Sequence, residues 1–278
     1  MSSSEERVRL EWDIEGVAVV TVSGAPPNPS TLACADQLAD HLKTAREAGA
    51  RIVVLASDVE GHWLGHASLK DLTALIRGEA TSGSGTGFFR AADELSKQSM
   101  VSIAAISGDC GGGGCELGWA CDLRIADESA RFAQMEILAG LIPGLGGIAR
   151  LTRLVGRTAT AEIVLDGAPV SAQRFFELGA LNRVVRKGSA KEAALAWARR
   201  LAKRPAKALL LAKQVLAESE ELPLSESLAN EQNRFQQIAA TPEALALMDE
   251  IQASYDAGNA FPEQVAIDDA NFERSNSV

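Results

Sequence analysis

The stretch that best predicts the fold is VSIAAISGDCGGGGCELGWACD, residues 101–122. Its first seven residues form an apolar run of the length expected for a buried parallel strand. The run leads into four consecutive glycines, Gly111 to Gly114, and then into CELGWA, which is typical of a buried helix. A glycine turn at a helix N-terminus presents backbone N–H groups without side-chain obstruction. The segment therefore predicts a binding site for an oxyanion or a phosphate.

Strand and helix patterns alternate on both sides of this segment. Upstream, two β segments separated at Glu15-Gly16 are predicted between Val8 and Val22, and RIVVLAS at 51–57 predicts a buried strand. Downstream, CDLRIA at 121–126 predicts the next strand. Apolar residues at helical spacing predict further helices, at 31–48, 68–76 and 88–97. The alternation indicates an α/β fold.

The last third of the chain has a different pattern. After Val185, helical spacing of apolar residues predicts helices only, at 190–202, 206–217, 224–239 and 242–257. From Gly258 the sequence is polar, which predicts a loose tail or a partner-binding arm. We therefore divide the chain into an α/β core over 1–198 and a helical C-terminal region with its tail over 199–278.

The composition argues against several classes of protein. The 278 residues carry a formal charge of −10 and contain no basic run, which argues against a nucleic-acid partner. No stretch of about 18 apolar residues predicts a membrane span, and no signal-peptide pattern opens the sequence, so we expect a cytoplasmic protein. Cys110, Cys115 and Cys121 match no zinc spacing. They are expected to be reduced, buried thiols, with no metal bound.

Motifs of nucleotide-binding and serine-dependent enzymes do not fit the glycine turn. A dinucleotide fingerprint GxGxxG that starts at Gly111 or Gly112 needs a third glycine where Glu116 or Leu117 stands. The relaxed form of this fingerprint, with alanine as the last residue, does match from Gly144 to Ala149. However, Ile-Pro precedes Gly144 where the fingerprint needs a strand. The chain has no GK[ST] of a P-loop and no GxSxG of a serine hydrolase.

Two glutamates stand in unusually apolar surroundings. Glu116 follows the glycine turn, and Glu136 lies in FAQMEILAGLIPG, residues 132–144. A glutamate in the first turn of a helix is commonly there because the helix dipole stabilises it, and Glu116 alone would be assigned that role. Two carboxylates flanked by apolar runs, one of them beside an amide-rich turn, are also what a paired acid–base site needs.

These two regions resemble the crotonase family. Residues 107–122 are similar to its signature NGxxxGGGxEL…CD, and residues 132–156 are similar to FGxPExxxGxxPGxGGxxRLxRxxG. The spacing of 20 from Glu116 to Glu136 is that of the two catalytic glutamates of enoyl-CoA hydratases. A weaker similarity extends over nearly the whole chain. The resemblance implies a spiral of ββα units with a helical C-terminal region, assembled as a homotrimer or homohexamer.

The resemblance also implies roles for single residues. Glu116 and Glu136 would be the catalytic pair, which adds water across the double bond of a 2-enoyl-CoA thioester. The backbone N–H groups of Ala67 and Gly113 would form an oxyanion hole for the enolate oxygen. Gly144 would help to position the water. The CoA thioester is itself the substrate, so no cofactor is expected.

The residues around the acyl group depart from the family pattern. His66 replaces a glycine beside the oxyanion hole, Ser68 replaces an acidic residue, and Met135 replaces a proline. Acyl selectivity is expected to lie between residues 72 and 89 and in the C-terminal tail. The region 72–89 includes a Gly/Ser/Thr stretch at 81–87 that is predicted to be flexible.

Recognition of CoA departs from the family pattern too. His66, Lys70 and Phe235 are the residues expected to bind substrate or CoA, but a serine, Ser254, stands where a basic residue is expected. A carrier-protein thioester is therefore kept as an alternative. Histidines act as bases in carbon–carbon-cleaving relatives, and His62 and His66 are compatible with that role. We favour the interpretation that both are exposed loop residues.

Three other functions are compatible with these residues. Isomerisation of a 3-enoyl thioester needs only one shuttling carboxylate, and retro-Claisen hydrolysis of a carbon–carbon bond would use the same oxyanion hole. The third is a crotonase-like binding or scaffold subunit that keeps the fold without turnover. Such a protein has little chemical reason to keep both glutamates, so the intact pair favours hydration.

Overall fold

The computed structural model describes residues 7–26 and 30–258. The predicted polar tail beyond Gly258 lies outside the described residues. Within the described ranges no helix is both long and apolar enough to span a membrane. The chain divides between Arg204 and Pro205 into two compact units, a few residues after the boundary expected at 198.

The bounds of the longer elements are close to the predicted ones. Among the described residues the strands are β1 (Val8–Ile14), β2 (Val17–Val22), β3 (Ile52–Ser57), β4 (Val101–Ile106), β5 (Cys110–Gly111), β6 (Leu123–Asp127), β7 (Arg131–Ala133), β8 (Val170–Ser171) and β9 (Arg183–Val185). The helices are α1 (Leu32–Glu47), α2 (Leu69–Arg77), α3 (Gly87–Ser96), α4 (Gly113–Ala120), α5 (Ala149–Asp166), α6 (Ala172–Glu177), α7 (Ala190–Ala202), α8 (Ala206–Ser219), α9 (Leu224–Ala239) and α10 (Pro242–Asp256). A 3₁₀ turn covers Glu136–Ala139.

The main sheet follows the order of the chain. Its strands lie in the order β1-β2-β3-β4-β6-β9; β1 and β2 are antiparallel, and the other neighbours are parallel. Every residue of β2, β3 and β4 is buried, as expected for parallel strands that helices cover. Helix α1 contacts β1 and β2, and α7 contacts β3 and β4. The predicted α/β class is confirmed.

A second sheet of very short strands was not predicted. In it β5 pairs in parallel with β7, which sets Cys110 opposite Phe132, and β8 pairs with β7 on the other side. Strands of two or three residues are too short to show a hydrophobic period. Because Glu116 follows β5 and Glu136 follows β7, this pairing brings the two glutamate-bearing segments together.

The core behind the glycine turn is aromatic. Trp119 of α4 stacks on Phe132 of β7 with ring centroids 5.7 Å apart, and Phe175 of α6 lies 5.1 Å from Trp119 and 5.0 Å from Phe132. Such offset and tilted pairs stabilise packing beyond the area that they bury. All four cysteines are buried thiols outside any disulfide, as was predicted for Cys110, Cys115 and Cys121.

The stretch 81–87 is held against α1 by two carboxylates. Asp71 Oδ2 accepts hydrogen bonds from Ser82 Oγ at 2.6 Å and from Leu32 N at 3.0 Å. Asp36 accepts from Ser84 N and Ser84 Oγ, both at 2.6 Å. The segment is thus tied down at both of its serines, which its Gly/Ser/Thr composition did not indicate.

Within the described residues, the second unit consists of α8, α9 and α10. Helix α8 packs on α9, and α9 contacts α10. Glu218 of α8 accepts hydrogen bonds from Asn230 at 2.5 Å and from Arg234 at 3.1 Å, both on α9. The predicted helical character of the C-terminal region is confirmed.

Candidate active site

The glycine turn requires glycine at particular positions. Gly112 has φ +48°, a left-handed conformation that L side chains rarely adopt. A Cβ on Gly114 would lie 2.0 Å from the carbonyl oxygen of Leu64, and a Cβ on Gly112 would lie 3.1 Å from His66 Cβ. The turn therefore packs directly on the segment that carries Leu64 and His66.

Two backbone N–H groups face one cavity without an internal partner. The parallel bridge between Ser30 and Ala67 uses the neighbouring groups: Ser30 N donates to His66 O at 3.0 Å, and Ser68 N donates to Ser30 O at 2.8 Å. The N–H of Ala67 consequently points away from that bridge. Gly113 begins α4, so its N–H has no acceptor within the helix. Both residues line the cavity, and neither amide donates a hydrogen bond within the described residues.

Glu116 is held by the backbone of a distant turn. Its side chain is 3% exposed, and its Oε1 accepts hydrogen bonds from Leu145 N at 2.6 Å and Gly147 N at 2.7 Å. Burial raises the pKa of Glu116 above its usual value, and the two amides, together with the charge of Arg150, oppose that rise. Gly147 approaches closely because it lacks a side chain: a Cβ there would lie 3.0 Å from Glu116 Oε1.

Glu136 lines the same cavity as Glu116. It opens the 3₁₀ turn Glu136–Ala139 and is half-buried. Burial raises its pKa, and the negative charge of Glu116 raises it further, while its own backbone amide and the charge of His66 act in the opposite direction. The structure thus brings the two predicted glutamates into one site.

Gln134 is a site residue that the sequence interpretation missed. It is buried, two positions before Glu136. With its amide oriented so that donors face acceptors, Gln134 Nε2 donates to both carboxylate oxygens of Glu136 at 3.1 Å, and its Oε1 accepts from Trp119 Nε1 at 3.2 Å. A polar residue at the centre of FAQME was the available signal, because a buried amide needs partners.

Gly144 also lines the cavity, beside the amides that hold Glu116. Its N–H donates no hydrogen bond within the described residues, which leaves it available to a bound molecule. In this turn a role was predicted for Gly144 only. Leu145 and Gly147 were not predicted, because they act on Glu116 through their backbone N–H groups, and the glycine at 147 does not by itself show what approaches it.

The cavity has a volume of about 580 Å³ and walls of mainly apolar side chains. They come from α2, from the first turn of α3 and from residues 135–145. Of the region 72–89 that was expected to carry acyl selectivity, six residues line the cavity: Leu72, Leu75, Ile76, Gly85, Phe88 and Phe89. The arrangement joins two carboxylates and two free amides to a large apolar space.

The interpretation of both histidines as exposed loop residues is wrong. His66 is half-buried and lines the cavity, and its Nδ1 lies 2.8 Å from the carbonyl oxygen of Ala67. Because a carbonyl oxygen only accepts, Nδ1 carries the proton and Nε2 of a neutral ring is unprotonated. His62 is half-buried but does not line this cavity.

Lys70 and Phe235 lie outside the cavity wall. Lys70 is exposed at the start of α2, and Phe235 is exposed on α9 of the second unit. Neither belongs to the residues that line the cavity. Their expected roles in CoA binding stay predictions.

The chain matches a known protein family. The model of the enoyl-CoA hydratase/isomerase family matches residues 13–256. This range includes the glycine turn, both glutamates and most of the helical C-terminal region.

Curated relatives match over different lengths. A probable enoyl-CoA hydratase of Rhizobium meliloti (strain 1021) is 42% identical over 139 residues, which are 50% of this chain and 54% of the relative. The 2,3-dehydroadipyl-CoA hydratase of Escherichia coli (strain K12) is 40% identical over 139 residues, with the same coverage of 50% and 54%. The match to these two thus spans about half of their length. The mitochondrial enoyl-CoA hydratase of Pongo abelii is 32% identical over 206 residues, which are 74% of this chain and 70% of the relative.

Solved structures extend the similarity to nearly the whole chain. The crystal structure of an enoyl-CoA hydratase from Bacillus anthracis superposes with a TM-score of 0.78 at 26% identity, and covers 92% of this chain and 98% of that one. The fold is therefore that of the crotonases. Together with the family match over 13–256, this similarity shows that the chain belongs to the enoyl-CoA hydratase/isomerase family, as its glycine turn and paired glutamates predicted.

Proposed function

We propose that this protein hydrates 2-enoyl-CoA thioesters to 3-hydroxyacyl-CoA thioesters. The observation that carries the proposal is the presence of Glu116, Glu136 and the free amides of Ala67 and Gly113 in one cavity. Two carboxylates serve a reaction that moves one proton from water and delivers another to carbon. Two unpaired amides stabilise an intermediate that has a negatively charged oxygen.

Glu116 acts as the base in this proposal. Two amide hydrogen bonds on its Oε1 favour the ionised carboxylate, and its Oε2 accepts no hydrogen bond within the described residues. Oε2 is thus available to take a proton from water. As the water oxygen bonds to Cβ, the π electrons move to the thioester carbonyl and form an enolate. The N–H groups of Ala67 and Gly113 stabilise that oxygen.

Glu136 acts as the acid. Burial raises the pKa of Glu136, and the charge of Glu116 raises it further, against its own backbone amide and the charge of His66. In this proposal the proton that the pair shares is on Glu136 when Glu116 is ionised. That proton passes to Cα as the enolate collapses, which completes the 3-hydroxyacyl thioester. No cofactor takes part in the proposed reaction, and CoA enters as part of the substrate.

The test is hydration of crotonyl-CoA by Glu116→Gln and Glu136→Gln. Each variant is expected to lower kcat by about 10²–10⁴-fold, because each removes one proton-transfer group while keeping the shape of the side chain. Glu162→Gln, which alters an exposed glutamate 3.9 Å from Arg174, is the matched control and should keep wild-type kcat. Near-wild-type turnover in both cavity variants, with unchanged circular dichroism, would overturn the proposal.

The other members of the superfamily are distinguished by their products. The wild-type protein is incubated with 2-enoyl, 3-enoyl and β-diketone CoA thioesters in deuterated water. Formation of 3-hydroxyacyl-CoA with deuterium at Cα supports hydration. Migration of the double bond alone indicates an isomerase, and cleavage indicates carbon–carbon hydrolysis. Absence of acyl-CoA binding in calorimetry indicates a non-catalytic subunit.

A further inference from the structure

The cavity is apolar except where the reaction is proposed to occur. Its charged or ionisable lining residues are His66, Glu116 and Glu136, which lie beside the free amides. All the other side chains that line the cavity are apolar; the first of them in the sequence is Leu32 and the last is Leu145. An acyl group whose carbonyl binds the amides would therefore extend along hydrocarbon walls.

The outer edge of the cavity exposes large apolar side chains. Ile76 is 72%, Leu138 73% and Ile142 70% exposed, whereas Glu116 at the inner end is 3% exposed. Apolar side chains that line a single cavity and also face solvent mark a place where a ligand buries them. Since the cavity of about 580 Å³ is far larger than a four-carbon acyl group needs, a longer chain is required to reach that edge.

The cavity wall offers no partner to a second carboxylate. None of the residues that line the cavity is lysine or arginine. A carboxylate at the far end of the acyl chain would lie among apolar groups without a counter-ion, which is costly. Glu116 and Glu136 in the same cavity would add repulsion. This lining contrasts with the substrate named for the 40% identical relative from Escherichia coli, whose acyl group carries a terminal carboxylate.

We propose that the site selects 2-enoyl thioesters with an extended, uncharged hydrocarbon chain several methylenes longer than crotonyl, and rejects those with a terminal carboxylate. The inference rests on the proposed hydratase function. The physical basis is burial of each added methylene against the apolar wall that ends at Ile142.

The experiment measures kcat/KM for hydration of trans-2-enoyl-CoA substrates of four to twelve carbons, and of 2,3-dehydroadipyl-CoA. From four carbons upward kcat/KM is expected to rise about fourfold for each methylene until the chain reaches the edge. Hexenoyl-CoA is expected to exceed dehydroadipyl-CoA, which has the same chain length, by about a hundredfold.

A pair of variants tests the wall itself. Ile142→Ala is expected to lower the ratio of kcat/KM for decenoyl-CoA over crotonyl-CoA by about fivefold or more, because it removes three carbon atoms from the wall. Leu165→Ala is the matched control: Leu165 is 71% exposed, as Ile142 is 70% exposed, but it does not line the cavity. The control should keep the wild-type ratio.

The outcomes separate this inference from the function on which it rests. Hydration with a flat chain-length profile, with dehydroadipyl-CoA equal to hexenoyl-CoA, or with an unchanged ratio in Ile142→Ala would overturn the inference and leave the hydratase standing. Hydration of none of the thioesters would overturn both.

Discussion

Glu116 and Glu136 carry the same functional group in different surroundings. Burial raises the pKa of both carboxyls. Two amides favour the charged form of Glu116, whereas the charge of Glu116 disfavours the charged form of Glu136, which its own backbone amide and the charge of His66 favour. The proposed assignment of Glu116 as base and Glu136 as acid rests on the two amides at Glu116 and on the charge that Glu116 places beside Glu136.

The pH dependence of the proposed hydration should show the ionisation of both Glu116 and Glu136. Activity requires ionised Glu116 and protonated Glu136, so kcat/KM should fall as pH drops through the first pKa and as pH rises through the second. Because both pKa values are raised, both limbs should lie above the ordinary glutamate value of about 4.3. A pH–rate profile on crotonyl-CoA measures this. An acid limb at or below that value, or the absence of an alkaline limb, would contradict the assignment.

Gln134 should lower the pKa of Glu136, the proposed acid. In Gln134→Met the side chain keeps its length but no longer donates to Glu136, so the carboxylate is less stable and the alkaline limb of kcat/KM should move to higher pH. Trp119 Nε1 also loses its acceptor, which should lower the free energy of unfolding by about 1–3 kcal/mol. The control is Gln252→Met, which removes an exposed amide-to-carboxylate bond of 2.8 Å to Asp256. If the limb stays in place, Gln134 has only a structural role.

At the level of residues, the sequence was sufficient where the resemblance to a family pattern names a position. The glutamate pair, Ala67 and Gly113 were predicted in this way, and all four line one cavity. The donors to Glu116 were not predicted, because the pattern was not used to assign a role to Leu145 or Gly147 and every non-proline residue has an N–H group. His66 was expected among the residues that bind substrate, and it lines the cavity, but the interpretation of it as an exposed loop residue was wrong because a lone histidine in a loop does not show which way it faces.

Among the elements, α1, α2 and the stretch 81–87 depend on one carboxylate. Asp71 lies in the first turn of α2 and accepts a hydrogen bond from Leu32 N, the first residue of α1. A negative charge at a helix N-terminus is stabilising, and the same oxygen also accepts from Ser82. Asp71 therefore joins α2 to the backbone at the start of α1 and to the side chain of Ser82 in the stretch 81–87.

Asp71→Ala should lower the free energy of unfolding by about 1–3 kcal/mol, because it leaves Leu32 N buried without an acceptor. Although burial raises the pKa of Asp71, hydrogen bonds from Ser82 and Leu32 lower it overall. Its contribution is thus complete above the unfolded value of about 3.9 and is lost as pH falls through the lower folded pKa. Urea denaturation at pH 7 and at pH 3 measures both effects.

The matched control for Asp71 is Asp40→Ala. Asp40 is exposed on α1 and accepts from Arg90 at 2.6 Å, so its removal should change stability by less than about 0.5 kcal/mol. Equal losses in the two variants would contradict the role given to Asp71.

Elements long enough to show a period were predictable, and short ones were not. The four helices after Val185 were predicted within about two residues at each end, since each shows several turns of apolar spacing. The strand predicted from Cys121 begins at Leu123 instead, because Asp122 turns towards β4 and accepts from Ser102 N at 2.7 Å. Pairing of β5 with β7 depends on contacts between distant segments, which no local pattern contains.

For the whole molecule, assembly stays a prediction. The described part of the second unit exposes large apolar side chains, among them Leu228, Phe235 and Leu245, as surfaces that join subunits often do. We expect a homotrimer or homohexamer, with a mass near three or six times 29.3 kDa in sedimentation analysis. A species at 29.3 kDa across micromolar concentrations would contradict this.

The close approach of Gly114 to Leu64 has a consequence for how the protein can evolve. Any other residue at 114 would place a carbon 2.0 Å from a carbonyl oxygen, so this position of the glycine turn is restricted to glycine. Ile142 lines the cavity but is mostly in solvent, and its replacement should hardly affect folding. Lineages that inherit this fold can therefore change the wall of the cavity while purifying selection keeps glycine at 114.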